Sequence, residues 1–102
     1  VGSISDNRLG GWYAYRSSKA AQNMITKTLA IELSRIAPNA VVLGLHPGTV
    51  DTDLSKPFQK NVPKDRLLST DESVGAMLEV IEQATPDKSG RVFDFRGDEI
   101  LP

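Results

Sequence analysis

Apolar side chains recur at helical spacing through the first third of the chain. The positions that share this spacing are Ala21, Ile25, Leu29, Leu33 and Ile36. A period of three to four residues is typical of an amphipathic helix. We predict a helix over residues 12–36, because Pro38 cannot continue it and disfavours helical backbone just before itself. Such a helix is roughly 38 Å long, so it needs a sheet on one side and another partner on the other.

A continuous apolar run follows at residues 40–45 and contains two β-branched valines. Such a run is typical of a strand that is covered on both faces, and Pro47 and Gly48 end it. Residues 49–69 show no sustained period and contain two prolines, so we predict a long loop with room for one helical turn. Loops of this length inside a compact domain are usually lids or binding segments.

The last third of the chain predicts a helix and a strand. Thr70 can cap a second helix that extends to about Ala84, although Ser73 stands where a capping box needs Glu. Pro86 ends that helix, and residues 91–95 form a short strand. The order helix, strand, loop, helix, strand makes one βαβ unit of a parallel sheet, with a right-handed crossover, in an α/β fold.

Composition narrows the possible functions. The 102-residue chain has a formal net charge of −1, so its charge gives no case for binding nucleic acid or an anionic membrane. No apolar run approaches the ~20 residues of a membrane span. Cysteine is absent and there is one histidine, so we expect no disulfide, no thiol catalyst and no metal site. The lack of cysteine fits a cytoplasmic protein. Because the chain opens on Val1 in a loop-like stretch, we interpret it as a piece of a longer protein.

Tyr15 and Lys19 carry the strongest chemical signal. On a helix, residues four apart are neighbours on one face, which holds an ammonium close to a phenol. A neighbouring cation lowers the pKa of a tyrosine from its ordinary value near ~10, and a shift toward ~7 takes about 4 kcal/mol. A tyrosine tuned this way exchanges a proton with an alcohol or carbonyl oxygen at neutral pH. The competing interpretation is a solvated lysine beside a packed tyrosine on an ordinary helix surface.

Four stretches of the sequence carry a family resemblance. They are Gly-Ser-Ile-Ser-Asp-Asn at 2–7, Tyr15 to Met24, His-Pro-Gly-Thr-Val-Asp-Thr-Asp at 46–53, and the closing strand with Gly97. Together they resemble the C-terminal part of a short-chain dehydrogenase/reductase, and the chain is most similar to the C-factor and sniffer-like carbonyl reductase group of that superfamily. The resemblance implies that residues 1–102 are the C-terminal portion of a single NAD(P)-binding domain with a Rossmann-like, doubly wound parallel sheet. The glycine-rich phosphate turn of the family would then lie upstream.

The resemblance also implies an activity. The enzyme would transfer hydride between NADH or NADPH, with NADPH slightly preferred, and a small carbonyl or alcohol substrate. Tyr15 would be the general acid in carbonyl reduction and the base in the reverse direction. Lys19 would stabilise the phenolate and hold the nicotinamide ribose hydroxyls through its ammonium donors.

The remaining cofactor-binding residues implied by the resemblance follow the buried strand. They are Pro47, Gly48, Thr49, Val50 and Thr52. Ligands of such sheets bind beyond the carboxyl ends of the strands, which is where these residues lie. The Pro-Gly pair would turn the chain around the nicotinamide, and Val50 would reach the carboxamide with its backbone. Thr52 would use its hydroxyl there or contact the pyrophosphate. Taken alone, the Pro-Gly pair favours an ordinary turn.

Two candidates for the catalytic serine stay open. Ser3 precedes Tyr15 by twelve residues, close to the spacing common in the superfamily. In the group that this sequence most resembles, the serine usually precedes the Gly-Ser-Ile stretch, which would place it before Val1. A loop serine that bonds its own backbone is an equally good interpretation of Ser3.

Further side chains have weaker signals. His46 ends the predicted strand, and we interpret it as structural, since the family gives histidine no chemical role there. Trp12 and Tyr13 sit beside the catalytic pair and can line the substrate site or simply pack. Leu54 and Phe58 are substrate-side candidates, because that segment covers the substrate in relatives.

Three functional hypotheses are compatible with these residues. The first is the oxidoreductase, active as a homodimer or homotetramer through the long helix. The second is a non-catalytic relative that senses a dinucleotide or signals, as C-factor-like roles suggest. An intact Tyr15 and Lys19 favour the enzyme, since a sensor needs no proton donor. The third, an extended sugar-nucleotide epimerase, is disfavoured because the chain ends soon after Phe95.

Overall fold

The first helix, α1, extends from Tyr13 to Ile36 in a computed structural model that describes residues 2–102. This confirms the predicted helix to within one residue. The helix ends as Pro38 requires, with the amide of Ala37 donating to the carbonyl of Leu33. Basic Arg35 lies in the last turn, where a cation interacts favourably with the helix dipole.

The sheet has three strands in the order β1-β4-β5. Strand β1 (Gly44–His46) pairs in parallel with β4 (Val92–Asp94), which confirms the parallel α/β architecture. Strand β5 (Glu99–Ile100) returns antiparallel to β4 and was not predicted. Its turn contains Gly97 at φ +87°, a left-handed conformation that glycine adopts without strain.

The predicted strand over residues 40–45 is wrong in its extent and burial. Only Gly44 and Leu45 of that run belong to β1, and the residues before them are half-buried rather than covered on both faces. The reason is the lack of a neighbouring strand along residues 40–43. Val42 instead accepts a bond from the amide of Gly90 and donates one to the hydroxyl of Ser89.

The segment between the sheet and the second helix is more ordered than predicted. Strands β2 (Thr49–Val50) and β3 (Leu67–Leu68) form a short parallel pair at its two ends. Two 3-10 turns, Lys56–Asn61 and Lys64–Arg66, lie between them, where the sequence allowed for one.

The second helix, α2, spans Thr70–Glu82, and the expectation that Thr70 caps it is wrong. Ser69 is the cap, because its hydroxyl accepts from the amide of Glu72 at 3.1 Å. The Glu72 carboxylate accepts from the amide of Ser69 at 3.1 Å, which completes a capping box. The bond from the Ser69 amide, together with the Ser69 hydroxyl beside the carboxylate, holds the pKa of Glu72 below its ordinary value.

Helix α1 lies against the chain just before β4, at Lys27 and Ala30. Ala30 and Phe93 are the buried apolar side chains within residues 2–102. Gly90 lies so close to α1 that a Cβ there would come within 3.2 Å of Ala30 and 3.1 Å of the Lys27 stem. Among these residues, no helix has the length and apolar character that crossing a membrane requires.

Candidate active site

Tyr15 and Lys19 lie together in the first two turns of α1. The Lys19 Nζ atom is 5.5 Å from the centroid of the Tyr15 ring, a cation–π arrangement. The ammonium also donates to the side-chain oxygen of Gln22 at a long 3.4 Å. Tyr15 is 44 % exposed, so its hydroxyl-bearing ring is open to a ligand while the cation lies over its face. The structure thus brings together the two side chains that the spacing pairs.

Trp12 adds an aromatic neighbour that the sequence analysis left ambiguous. Its ring meets Tyr15 edge-on, with centroids 6.3 Å apart and an interplanar angle of 77°. It also meets Phe58 at 5.8 Å and 61°. Phe58 belongs to the 3-10 turn Lys56–Asn61, so Trp12 connects that turn with Tyr15. Tyr13 and Leu54, the other two candidates for the substrate side, are strongly exposed.

The loop that carries Ser3 passes directly over Lys19. A Cβ on Gly2 would lie 2.9 Å from the Cβ of Lys19, so only glycine allows this close approach. The Ser3 hydroxyl donates to the carbonyl of Leu101 at 2.6 Å and accepts from the amide of Asp6 at 3.3 Å. These bonds to backbone groups match the alternative interpretation of Ser3 as a loop serine that binds the backbone. Its catalytic role stays a prediction.

The Pro47-Gly48 turn is held by specific contacts at the carboxyl end of β1. The carbonyl of Pro47 accepts from the hydroxyl of Ser73, the most buried side chain described, at 2.7 Å. The amide of Gly48 donates to Nδ1 of His46 at 2.9 Å. This bond gives His46 a structural role, as the sequence indicates.

Glycine is required at position 48. Its φ is +78°, and an added Cβ would lie 2.8 Å from the Phe95 ring and 2.9 Å from Leu68. The turn therefore combines a left-handed backbone with a close approach that no side chain permits. The turn lies beyond the carboxyl end of β1, the edge at which parallel sheets bind ligands.

Ser55 organises the residues that follow the turn. Its hydroxyl donates to the carbonyl of Val50 and accepts from the amide of Thr52 at 3.2 Å. Gln59 donates to the same hydroxyl at 2.9 Å and to the carboxylate of Asp51 at 3.1 Å. Sequence reasoning missed Ser55, because a lone serine in an aperiodic segment has no spacing signal.

These bonds refine the expected cofactor contacts. The carbonyl of Val50 already accepts a bond from Ser55, so a backbone contact from Val50 to a cofactor would use its amide. The hydroxyl of Thr52 accepts from the amide of Ser55 at 3.3 Å and keeps its own hydrogen for donation. Thr49 lies in β2, paired with Leu67. Residues 2–102 contain no cluster of three His, Cys, Asp or Glu that could hold a metal ion.

Comparison with known proteins connects this geometry with a family, although no family model matches the chain. The chain is 41 % identical over 100 residues to C-signal of Myxococcus xanthus, covering 98 % of this chain and 55 % of C-signal.

Two solved structures share the fold. The NADPH-bound carbonyl reductase from chicken fatty liver superposes with a TM-score of 0.82 at 32 % identity, covering 99 % of this chain and 39 % of that one. The carbonyl reductase Sniffer of D. melanogaster superposes with a TM-score of 0.82 at 31 % identity, covering 99 % and 37 %. The chain thus spans about half of C-signal and less than half of either reductase. Sequence and fold agree that it belongs to the short-chain dehydrogenase/reductase superfamily, within the group of C-signal and Sniffer-like carbonyl reductases.

Proposed function

We propose that the protein is an NAD(P)H-dependent oxidoreductase that interconverts a carbonyl and an alcohol on a small molecule. The observation that carries the proposal is the Lys19 ammonium, 5.5 Å from the ring of a half-exposed Tyr15. A proton donor with a cation beside it suits the transfer of a proton to a carbonyl oxygen. The similarity to two carbonyl reductases supports the same chemistry.

In the reduction direction, the Tyr15 hydroxyl gives its proton to the substrate oxygen. Lys19 and the turn at Gly48 would hold a nicotinamide, which would supply the hydride that the carbonyl carbon receives, leaving one alcohol and one oxidised cofactor. Lys19 stabilises the phenolate that remains on Tyr15, and solvent then restores the proton. In the reverse direction, the phenolate accepts the proton of the alcohol.

The residues present fit a nicotinamide dinucleotide. The turn at Gly48 lies at the carboxyl end of β1, the edge at which parallel sheets bind ligands, and Phe95 and Leu68 pack against it. Lys19 has ammonium donors for ribose hydroxyls, since its ammonium has three hydrogens and its bond to Gln22 is long at 3.4 Å. The Thr52 hydroxyl and the Val50 amide supply further donors. We prefer NADPH over NADH because the chicken reductase binds NADPH.

We further propose that residues 1–102 are the C-terminal portion of a larger cofactor-binding domain. The chain exposes 7620 Å², whereas a folded protein of its 11.1 kDa mass exposes about 5,700 Å². The excess surface includes a stripe of exposed apolar side chains on α1: Met24, Ile25, Leu29 and Ile31. We assign this stripe to subunit contacts of a homodimer or homotetramer.

The test uses the complete polypeptide that carries this chain, with NADPH and a panel of aldehydes and ketones. NADPH oxidation is followed for the wild type and for Tyr15→Phe. The variant loses the proton donor, so its turnover should fall roughly 10²–10⁴-fold with cofactor affinity nearly intact. Unchanged turnover would remove Tyr15 from the mechanism.

A second candidate is a signalling protein that binds a dinucleotide without catalysis. The 41 % identity to C-signal is the observation that favours it. The two functions separate in one comparison, because a pure sensor keeps its signalling output in Tyr15→Phe. An enzyme whose product is the signal loses that output along with its turnover.

A further inference from the structure

Trp12 occupies an unusual backbone position at the start of α1. It is the N-cap of the helix, with φ +55° and ψ +42°, in the left-handed region. The left-handed region is sterically unfavourable for residues other than glycine, and bulky residues seldom adopt it. Such outliers persist only where the surrounding structure over-determines them, and they cluster at functional sites.

The approach to Trp12 is fixed by its neighbours. Gly10 and Gly11 also have positive φ, of +70° and +71°. The guanidinium of Arg16 donates to the carbonyl of Gly11 at 2.9 Å and to that of Gly10 at 3.3 Å. These bonds hold the left-handed stretch against the first turn of α1, so the direction of the Trp12 side chain is set by the backbone.

The Trp12 ring stands between two parts of the candidate site. Tyr15 has the Lys19 ammonium over its face at 5.5 Å and the Trp12 ring edge-on at 6.3 Å. Phe58 lies in the segment that follows the Pro47-Gly48 turn, and the centroid of its ring is 5.8 Å from that of the Trp12 ring. Edge-to-face aromatic contacts are attractive and have a preferred geometry, so they restrict how each ring rotates.

We propose that Trp12 is a positioning residue. It fixes the orientation of the Tyr15 ring, and with it the hydroxyl that donates the proton, and it ties the Phe58 segment to α1. This inference rests on the proposed oxidoreductase function. A misplaced donor lowers turnover steeply, because proton transfer needs the donor within hydrogen-bond reach of the substrate oxygen.

The test compares Trp12→Ala, Trp12→Phe and the wild type in the complete polypeptide. Trp12→Ala should lower kcat roughly 10–10²-fold while the KM for NADPH stays nearly constant, because the residue acts through Tyr15. Trp12→Phe keeps an aromatic edge and should recover most of kcat. The matched control is Leu9→Ala, which removes a 94 % exposed apolar side chain from the same approach and should change neither constant.

A second variant keeps the inference falsifiable if Trp12→Ala fails to fold. Trp12 is the single tryptophan of the chain described here, so a fluorescence signal from this chain reports its surroundings. In the complete polypeptide with any other tryptophans replaced, Phe58→Ala should shift the Trp12 emission to longer wavelength. The same variant should raise the KM for the carbonyl substrate more than it lowers kcat.

Three results would overturn the inference. Trp12→Ala with wild-type kcat would show that Tyr15 needs no aromatic neighbour. A parallel loss of kcat and NADPH binding would indicate a general structural role. An unchanged emission in Phe58→Ala would show that the ring contact does not form in solution. Failure of the proposed function is distinct from all three, since it appears as a wild-type protein that reduces no carbonyl compound.

Discussion

Lys19 makes two contacts that place different demands on one side chain. Its ammonium lies over the Tyr15 ring, and its stem lies under Gly2, where an added Cβ would come within 2.9 Å. Gly2 therefore confines the base of the Lys19 side chain, from which the flexible stem extends to the ring. This explains why a compact ammonium on a flexible stem suits the position better than the planar guanidinium of arginine.

Replacing Lys19 should affect more than replacing Tyr15. Lys19→Met keeps the apolar stem but removes the charge and its donors, so we expect turnover to fall by at least about 10²-fold. Cofactor affinity should fall too, because hydrogen bonds to a charged group contribute about 1.5–3 kcal/mol. Steady-state kinetics and an NADPH titration measure the two effects. A normal cofactor affinity in Lys19→Met would remove Lys19 from the binding site.

The bond between His46 and Gly48 makes a stability prediction. His46→Phe leaves the amide of Gly48 without its acceptor, which should cost at most about 1 kcal/mol because the bond is exposed. His46→Asn supplies a carbonyl oxygen instead and should retain most of the stability. Urea unfolding of the complete polypeptide gives the comparison, and equal midpoints for the two variants would argue against the bond.

At this scale the sequence predicts what fixed local geometry determines. Tyr15 and Lys19 are paired by helical spacing alone, and the structure places them together. The roles of Trp12 and Ser55 depend on contacts that have no fixed spacing, such as the ring of Phe58 or the carbonyl of Val50. Those contacts exist only after the segment has folded.

Among the elements, α2 shows how a single residue shifts a prediction. Ser69 and Thr70 both have hydroxyls able to cap a helix, and the sequence analysis chose the later one. The Glu at position 72 decides between them, because it stands three residues after Ser69 and returns a bond to the Ser69 amide. The signature was present in the sequence but was assigned one residue too late.

The capping box gives a direct comparison of the two hydroxyls. Ser69→Ala removes the acceptor of the Glu72 amide, so we expect a loss of about 1 kcal/mol in the free energy of unfolding. Thr70→Ala is the matched control and should cost little, because Thr70 is exposed and makes no cap. The denaturation midpoints of the two variants check this. A larger loss for Thr70→Ala would reverse the assignment.

Asp94, which is 6 % exposed, organises the turn between β4 and β5. Burial alone raises the pKa of this carboxyl, but the bonds that it accepts outweigh burial and hold the pKa below its ordinary value. The donors are the Arg96 guanidinium at 2.9 Å and the amides of Asp98 and Arg96 at 3.0 and 2.9 Å.

This depressed pKa predicts a loss of stability in acid. A carboxyl whose pKa is lower in the folded chain contributes stability above its unfolded pKa of about 3.9, and the contribution fades as pH falls through the folded pKa. Asp94→Asn should therefore be less stable at neutral pH and show a flatter pH dependence below about pH 4. Asp98→Asn, an exposed neighbour, is the control, and urea midpoints measured across pH compare them. If Asp94→Asn loses stability in acid as steeply as the wild type, that loss comes from another group.

At the scale of the whole chain, the predicted elements are correct where a regular apolar spacing continues over many residues. Helix α1 has seven turns of consistent apolar spacing, so its existence and bounds are predictable. The strands are two or three residues long, and their pairing is set by which backbone lies alongside. Strand β5 therefore escaped prediction, and residues 40–43 did not become the buried strand that their composition suggests.

The surface of the chain supports a last prediction, about residues 1–102 expressed alone. The 7620 Å² that they expose exceeds the roughly 5,700 Å² expected for their mass, and the described residues bury only two apolar side chains, Ala30 and Phe93. Strand β1 is an edge of the described sheet, with β4 on one side only, so its other edge is a template for pairing with other chains. The apolar stripe on α1 adds a second surface for association.

The isolated chain should therefore be marginally stable, self-associate and bind NADPH weakly, because most of the cofactor-binding surface of the proposed domain lies outside it. Light scattering coupled to size exclusion measures the association, and urea unfolding measures the stability. The complete polypeptide serves as the control and should unfold at a higher denaturant concentration. A monomeric, cooperative transition together with micromolar NADPH binding by the isolated chain would show that residues 1–102 form a domain of their own.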